Sequence, residues 1–220
     1  NILTERGSFR PVTKVNLDML AGARRQFLRD AGAGQGGSVE LMEITMSNLL
    51  ERGSIDHSDF LARADTINSV GKMVLISDYA RYYKLAAYLR RYTKRSIRIA
   101  LGIPTLKEVF NVKYYESLEG GILESFGRLF KNDIKLYVYP FLEGAPGQVI
   151  TAENVEIPEP LKHLYRYLME NGCIVPIGNF RKDSLGILSR NVLAKICAGD
   201  ACWEQMVPAE VAKCIKARCF

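Results

Sequence analysis

Short apolar runs alternate with stretches of helical periodicity along nearly the whole chain, and this alternation is the strongest constraint on what it can become. Met73 to Ser77 is a continuous apolar run bounded by Lys72 and Asp78, as expected of a strand buried on both faces of a parallel sheet. Further strands are predicted over residues 1–4, 39–44, 96–100 and 134–139, the last from an aromatic-rich alternation that stops before Pro140. Helical spacing predicts helices over 16–30, 59–70, 79–92, 105–110, 122–130, 161–171, 184–197 and 208–216, with a loop-rich connection over 142–158. Repeated β-α units of this kind imply an α/β fold with a mostly parallel sheet and helices on both faces. Ligands of such sheets sit at the carboxyl ends of the strands.

The 220 residues, 48% of them hydrophobic, suit a single domain spanning 1–220 with a substantial core. Thirty Lys and Arg against 24 Asp and Glu give a net charge of +6, a mild excess compatible with an anionic ligand or surface. The cations are spread through mixed-sign helices, where a solvated face accounts for them. The stretch Ala31 to Ser38 carries four glycines after a helix rather than between a strand and a helix, so it reads as a flexible connector and not a phosphate loop. All five cysteines fall in the last quarter of the chain without a C-x-x-C pair, and the histidines are His57 and His163. A metal site is therefore not expected, and a soluble protein of a reducing compartment is. No apolar run is long enough to span a bilayer. A receptor-type β-barrel is excluded by the helices between the strands. The sequence begins at Asn1 without a methionine, and an upstream segment is expected.

Two segments carry a pattern of chemistry. Gly7-Ser-Phe-Arg-Pro-Val-Thr-Lys-Val-Asn-Leu17 joins the first strand to the first helix, with Ala23-Arg24 further along. Its glycine allows close backbone approach to a phosphate, its proline stiffens the loop, and the following helix points N–H groups at an anion. A simple strand-to-helix turn with Asn16 as N-cap would also use these residues. Near the other end stand Ser189-Arg-Asn-Val-Leu-Ala-Lys-Ile-Cys-Ala-Gly199 and Val207-Pro208 with Val211 and Ile215.

These segments resemble the first and last motifs of the nicotinamide and nicotinate mononucleotide adenylyltransferases, G-[ST]-F-x-P-[IV]-[TH]-x-x-H-L and S-[ST]-x-[IV]-R-x-x-[LI]-x-x-G followed by V-P-x-x-V. The resemblance covers about the first 30 and last 35 residues; the middle is similar to a group of cyanobacterial and plastid proteins. It implies a Rossmann-like nucleotidyltransferase fold and transfer of an adenylyl group from ATP, with magnesium, to a mononucleotide, releasing pyrophosphate. Thr13, Asn16 and Arg190 would occupy the catalytic positions, and Gly7, Ser8, Phe9, Lys14, Asp78 and Ser189 the nucleotide-binding ones. Two positions depart from the pattern. Asn16 stands where the family has a histidine, and an amide cannot offer positive charge to departing pyrophosphate, a loss of about 10²-fold or more in rate. Leu193 stands where the family has a triphosphate-binding arginine. Arg190, three residues earlier, either reaches the phosphates instead or is a surface arginine. The resemblance thus supports an impaired adenylyltransferase or, alternatively, a catalytically inactive subunit of a larger complex, in the chloroplast stroma or the cytoplasm.

Outside the motifs, Asp78 follows a strand and could position magnesium or ribose at a carboxyl edge, or could cap the helix after it. The helix at 79–92 interleaves tyrosines with Arg81, Lys84, Arg90 and Arg91, but Tyr82, Leu85, Ala86 and Leu89 are spaced for a core face. It reads as a packing helix. The partners expected are thus a nucleotide or other protein subunits, not nucleic acid, with peripheral attachment to a membrane surface compatible with the charge.

Overall fold

The computed structural model describes residues 1–30, 37–46, 57–144 and 147–218. Most of the glycine-rich connector, residues 31–36, lies outside them. The strands are β1 (Ile2–Arg6), β2 (Val39–Thr45), β3 (Met73–Ser77), β4 (Ile97–Gly102), β5 (Ile134–Tyr139), β6 (Phe141–Glu143), β7 (Gln148–Ile150) and β8 (Ile174–Pro176). The helices, numbered in chain order, are α1 (Lys14–Arg29), α2 (His57–Ser69), α3 (Tyr82–Tyr92), α4 (Ile103–Val109), α5 (Gly121–Leu129), α6 (Lys162–Glu170), α7 (Ser189–Cys197) and α8 (Ala209–Arg218).

Six strands form one sheet in the order β3-β2-β1-β4-β5-β8, every pair parallel, and β6 and β7 form a separate antiparallel pair. Each parallel step needs a crossover, and the helices supply it, so the chain is an α/β protein of Rossmann-like architecture. The register starts evenly: Ile2 lies opposite Val39 on one side and Ile97 on the other, and Ile97 opposite Ile134.

Successive side chains of each strand enter opposite layers of the core. Ile2, Ile97, Ile99, Leu101, Leu136 and Val138 pack with α3, α4, α5 and α6. Leu3, Met42, Ile44, Ala100, Tyr137 and Tyr139 pack with α1, α2, α7 and α8. A fully buried Leu, Ile or Phe side chain contributes about 1.5–3 kcal/mol, so two layers of this size provide the main driving force.

Several elements differ from the sequence reading, each for a tertiary reason. The apolar run Met73–Ser77 is an edge strand with Met73 and Ile76 exposed, because β3 has a neighbour on one side only and sits at the margin of both core layers. Strand β8 was unanticipated; three residues ending in proline carry no period, and pairing with β5 alone makes them a strand. The loop-rich connection contains the β6–β7 hairpin. Helix α4 begins at Ile103 with Pro104 in its first turn, where a missing N–H costs nothing. Helix α7 starts at Ser189 rather than 184, after a short 3-10 turn over Lys182–Ser184. In α3 Tyr83 is buried beside Leu85, Ala86 and Leu89, and Tyr82 packs partly buried against the same core layer.

Candidate functional site

The chain leaves β1 toward β2 on one side and leaves β4 toward β5 on the other, so the strand order reverses between β1 and β4. A crevice for ligands opens at the carboxyl ends beside such a reversal. The β1–α1 loop, residues 7–13, stands there, and three groups of side chains surround it.

The first group lies on the α1 face. Thr13 is the N-cap of α1 and is buried. The Asn16 Oδ1 accepts from the Thr13 backbone N–H at 2.8 Å and from its hydroxyl at 2.9 Å, while Nδ2 donates to Glu5 Oε1 at 2.7 Å. Glu5 ends the inward series Leu3–Glu5 of β1 and has no exposed surface. Its Oε2 is buried without a hydrogen-bond partner. Burial pushes its carboxyl up to about 8, against the lowering effect of the Asn16 amide. Near neutral pH the group is therefore mostly protonated. Lys14, one residue into α1, is exposed.

Phe9 closes the loop above these residues. It is buried with φ 43°, and its ring lies over Gly7, where an added Cβ would meet ring carbons at 2.9 and 3.0 Å. The Gly7 N–H donates to the Glu43 carbonyl at 3.1 Å, which anchors the loop to β2. Gly7→Ala is expected to displace the Phe9 ring and cost about 1–3 kcal/mol, as overpacking does. Chemical denaturation measures this, and an unchanged midpoint would show that the ring yields freely.

The second group lies on the opposite face. Arg6 donates to both oxygens of buried Glu43, at 2.5 and 3.1 Å, and to the carbonyls of Tyr79 at 2.6 Å and Ala80 at 2.9 Å. Its guanidinium also lies 4.6 Å from the centre of the Tyr82 ring. The Ser77 hydroxyl donates to Glu43 Oε1. Burial raises the Tyr82 phenol, whose oxygen has no partner. Arg6 thus fixes the β3–α3 connection and holds Tyr79 and Ala80 out of the helix. Asp78 in that connection is exposed, follows an edge strand and is not the N-cap of α3, which is Arg81.

The third group joins the two ends of the chain. A cavity of about 200 Å³ is walled by Phe9, Pro11, Ala62, Leu193, Ile196 and Ile215. At its edge Asp59 bridges two arginines, with Arg10 Nε at 2.7 Å and Arg63 Nη2 at 2.5 Å. Arg63 Nη1 also donates to the Ser8 carbonyl at 3.3 Å. Leu193 occupies an apolar surface here. Arg190 is exposed and does not line the cavity, and Ser189 is the partly buried first residue of α7.

Of the residues singled out in the sequence, the fold therefore gathers Phe9 and Leu193 at one cavity and ties Thr13 and Asn16 to Glu5. Lys14, Asp78 and Arg190 point to solvent, apart from one another's partners. The sequence reading missed Glu5, Arg6 and Glu43. Their signal was present: Glu5 interrupts Ile-Leu-Thr-Glu-Arg, and Glu43 follows Leu-Met inside Val-Glu-Leu-Met-Glu-Ile-Thr, where a buried parallel strand calls for apolar residues.

Magnesium bound to phosphates takes one or two carboxylates from the protein. Both oxygens of Glu43 are engaged by Arg6 or Ser77, and Glu5 is sealed and mostly neutral. Among the described residues no three His, Cys, Asp or Glu side chains are grouped to hold a metal ion. Neither Glu5 nor Glu43 is free to take a magnesium ion. No helix of the described residues is long and apolar enough to cross a membrane. No protein-family model matches the chain, and no curated protein matches it.

Proposed function

We propose that this chain keeps a nucleotidyltransferase-like fold without the transfer chemistry and acts as a binding or structural subunit of a larger assembly, in a reducing compartment such as the chloroplast stroma. The observation that carries this reading is the capture of Asn16 between Thr13 and Glu5. Its amide is spent on the helix start and on a buried acid. Leu193 in its apolar wall supplies no charge in place of the arginine that the resemblance calls for. The experiment is incubation of the pure protein with ATP, magnesium and either mononucleotide, together with Asn16→His and Leu193→Arg in one variant. No NAD or acid analogue is expected from the parent. The double variant is expected to bind ATP no better, because a histidine at 16 gives up the Thr13 and Glu5 bonds and an arginine at 193 enters beside Arg10 and Arg63. A tenfold gain in ATP affinity, about 1.4 kcal/mol, would overturn this.

A second reading, adenylyl transfer with ATP and magnesium, is favoured by one observation. Lys14 and Arg190 are both exposed in the first turns of α1 and α7, where cations can meet a polyphosphate. Dinucleotide formation that is lost in Lys14→Ala or Arg190→Ala would establish this reading in place of the first.

A further inference from the structure

The core accounts for only part of α3. Tyr83, Leu85, Ala86 and Leu89 are buried and Tyr88 packs partly buried against them, which leaves Lys84, Arg91 and Tyr92 on the outer side. Tyr92 is 71% exposed. Its ring meets Tyr88 edge-on at 5.1 Å between centroids, and Tyr88 meets Tyr79 of the preceding connection at 4.9 Å, so three tyrosines are in contact as a ladder. Beside the ladder runs a groove of about 460 Å³ between α3 and the end of α5. Five of its lining residues are cations and none is a carboxylate: Lys84, Arg90, Arg91, Arg128 and Lys131.

Two of these cations have structural work. Arg90 donates to the carbonyls of Arg95 and Asn132, and Arg128 pairs with Glu124 at 2.6 Å. Lys84, Arg91 and Lys131 are exposed and have no ion pair among the described residues. Like charges gathered without counter-charge are unfavourable alone and are relieved by an anion. The exposed ring of Tyr92 beside them offers a stacking face. An exposed ring beside unpaired cations suits unpaired bases on a phosphodiester backbone, whereas a duplex keeps its base faces covered.

We propose that the outer face of α3 and the groove beside it bind single-stranded nucleic acid, with a base on Tyr92 and phosphates on Lys84, Arg91 and Lys131. The site is separate from the β1–α1 crevice and does not depend on any reading of it. The test is fluorescence anisotropy of the whole chain with labelled U and dT strands of about 12 nucleotides, a length within the range such grooves cover. A duplex of the same length, heparin and vesicles of phosphatidylserine in phosphatidylcholine serve as competitors. Single strands are expected to bind and to lose about 20-fold in affinity between roughly 50 and 200 mM salt, as three phosphate contacts dictate. Tyr92→Ala is expected to weaken binding at least about fivefold and Tyr92→Phe to retain it, since stacking needs the ring and not the hydroxyl. Arg91→Gln is expected to reduce the salt exponent by about 0.7. Because Tyr92 and Arg91 are exposed, their variants fold, which a thermal melt checks. Comparison of U with dT identifies RNA or DNA as the preferred source. Absence of strand binding, equal affinity in Tyr92→Ala, or displacement by vesicles or heparin more readily than by unlabelled strand would each overturn the proposal, the last assigning the patch to a membrane or to polyanions in general.

Discussion

Replacing Arg98 with methionine is expected to destabilise the fold by about 1.5–3 kcal/mol, because the partly buried Asp30 carboxylate loses a charge-assisted partner and keeps only Tyr137 and Lys135. Arg98 is 1% exposed and projects from β4 toward α1. Its Nε donates to Asp30 Oδ2 at 3.0 Å, its Nη2 to Asp133 Oδ2 at 3.1 Å, and its Nη1 to the Asp133 carbonyl at 2.5 Å. The Tyr137 hydroxyl donates to the same Asp30 oxygen at 2.5 Å, and Lys135 lies 3.4 Å from it. Burial pushes the Asp30 carboxyl up, but the hydrogen bonds from Tyr137 and Arg98, with the charge of Lys135, outweigh it and hold the group below its usual range. This cluster fastens the end of α1 to β4, β5 and the turn before β5. In urea the variant is expected to show a lower midpoint at unchanged m, the sign of lost stability rather than an altered unfolded state. A loss under about 1 kcal/mol would rank the cluster with surface ion pairs and refute the assignment.

Stability is expected to fall as pH rises from about 4.5 toward 8, and Glu5→Gln is expected to abolish that slope. The Glu5 carboxyl stands at about 8 in the folded chain against an ordinary 4.5. Between those values the folded state holds a proton that the unfolded state has released. Its stabilising effect is complete below 4.5 and is lost as pH climbs through 8, at about 1.4 kcal/mol per pH unit for one group. Glutamine keeps an acceptor for the Asn16 amide and cannot ionise. The variant should therefore gain on the parent with rising pH, by a few kcal/mol near pH 8. Denaturant midpoints across this range measure the difference, and parallel curves for the two proteins would show that Glu5 stays ionised when folded. Asp30 works in the opposite sense. Its depressed carboxyl contributes stability above the ordinary carboxylate range, and that contribution fades as pH falls.

The α/β alternation and most strand positions were legible in the sequence, because period and run length are properties of neighbouring residues. Residues 134–139 read as a strand and form one. The loop Gly7 to Thr13 and the helix after it were legible for the same reason. Tertiary structure decided the rest. The start of α3 moved from 79 to 82 because Arg6, 73 and 74 residues away, takes the carbonyls of Tyr79 and Ala80. The apolar run of β3 went to an edge, since strand order is set by crossovers and not by composition. Most consequentially, the hydrogen-bond partners of Asn16 were open until the fold set Glu5 beside it. The residue types were visible all along, but sequence records covalent neighbours, and an amide is committed by whichever group packing brings within 2.7 Å of it.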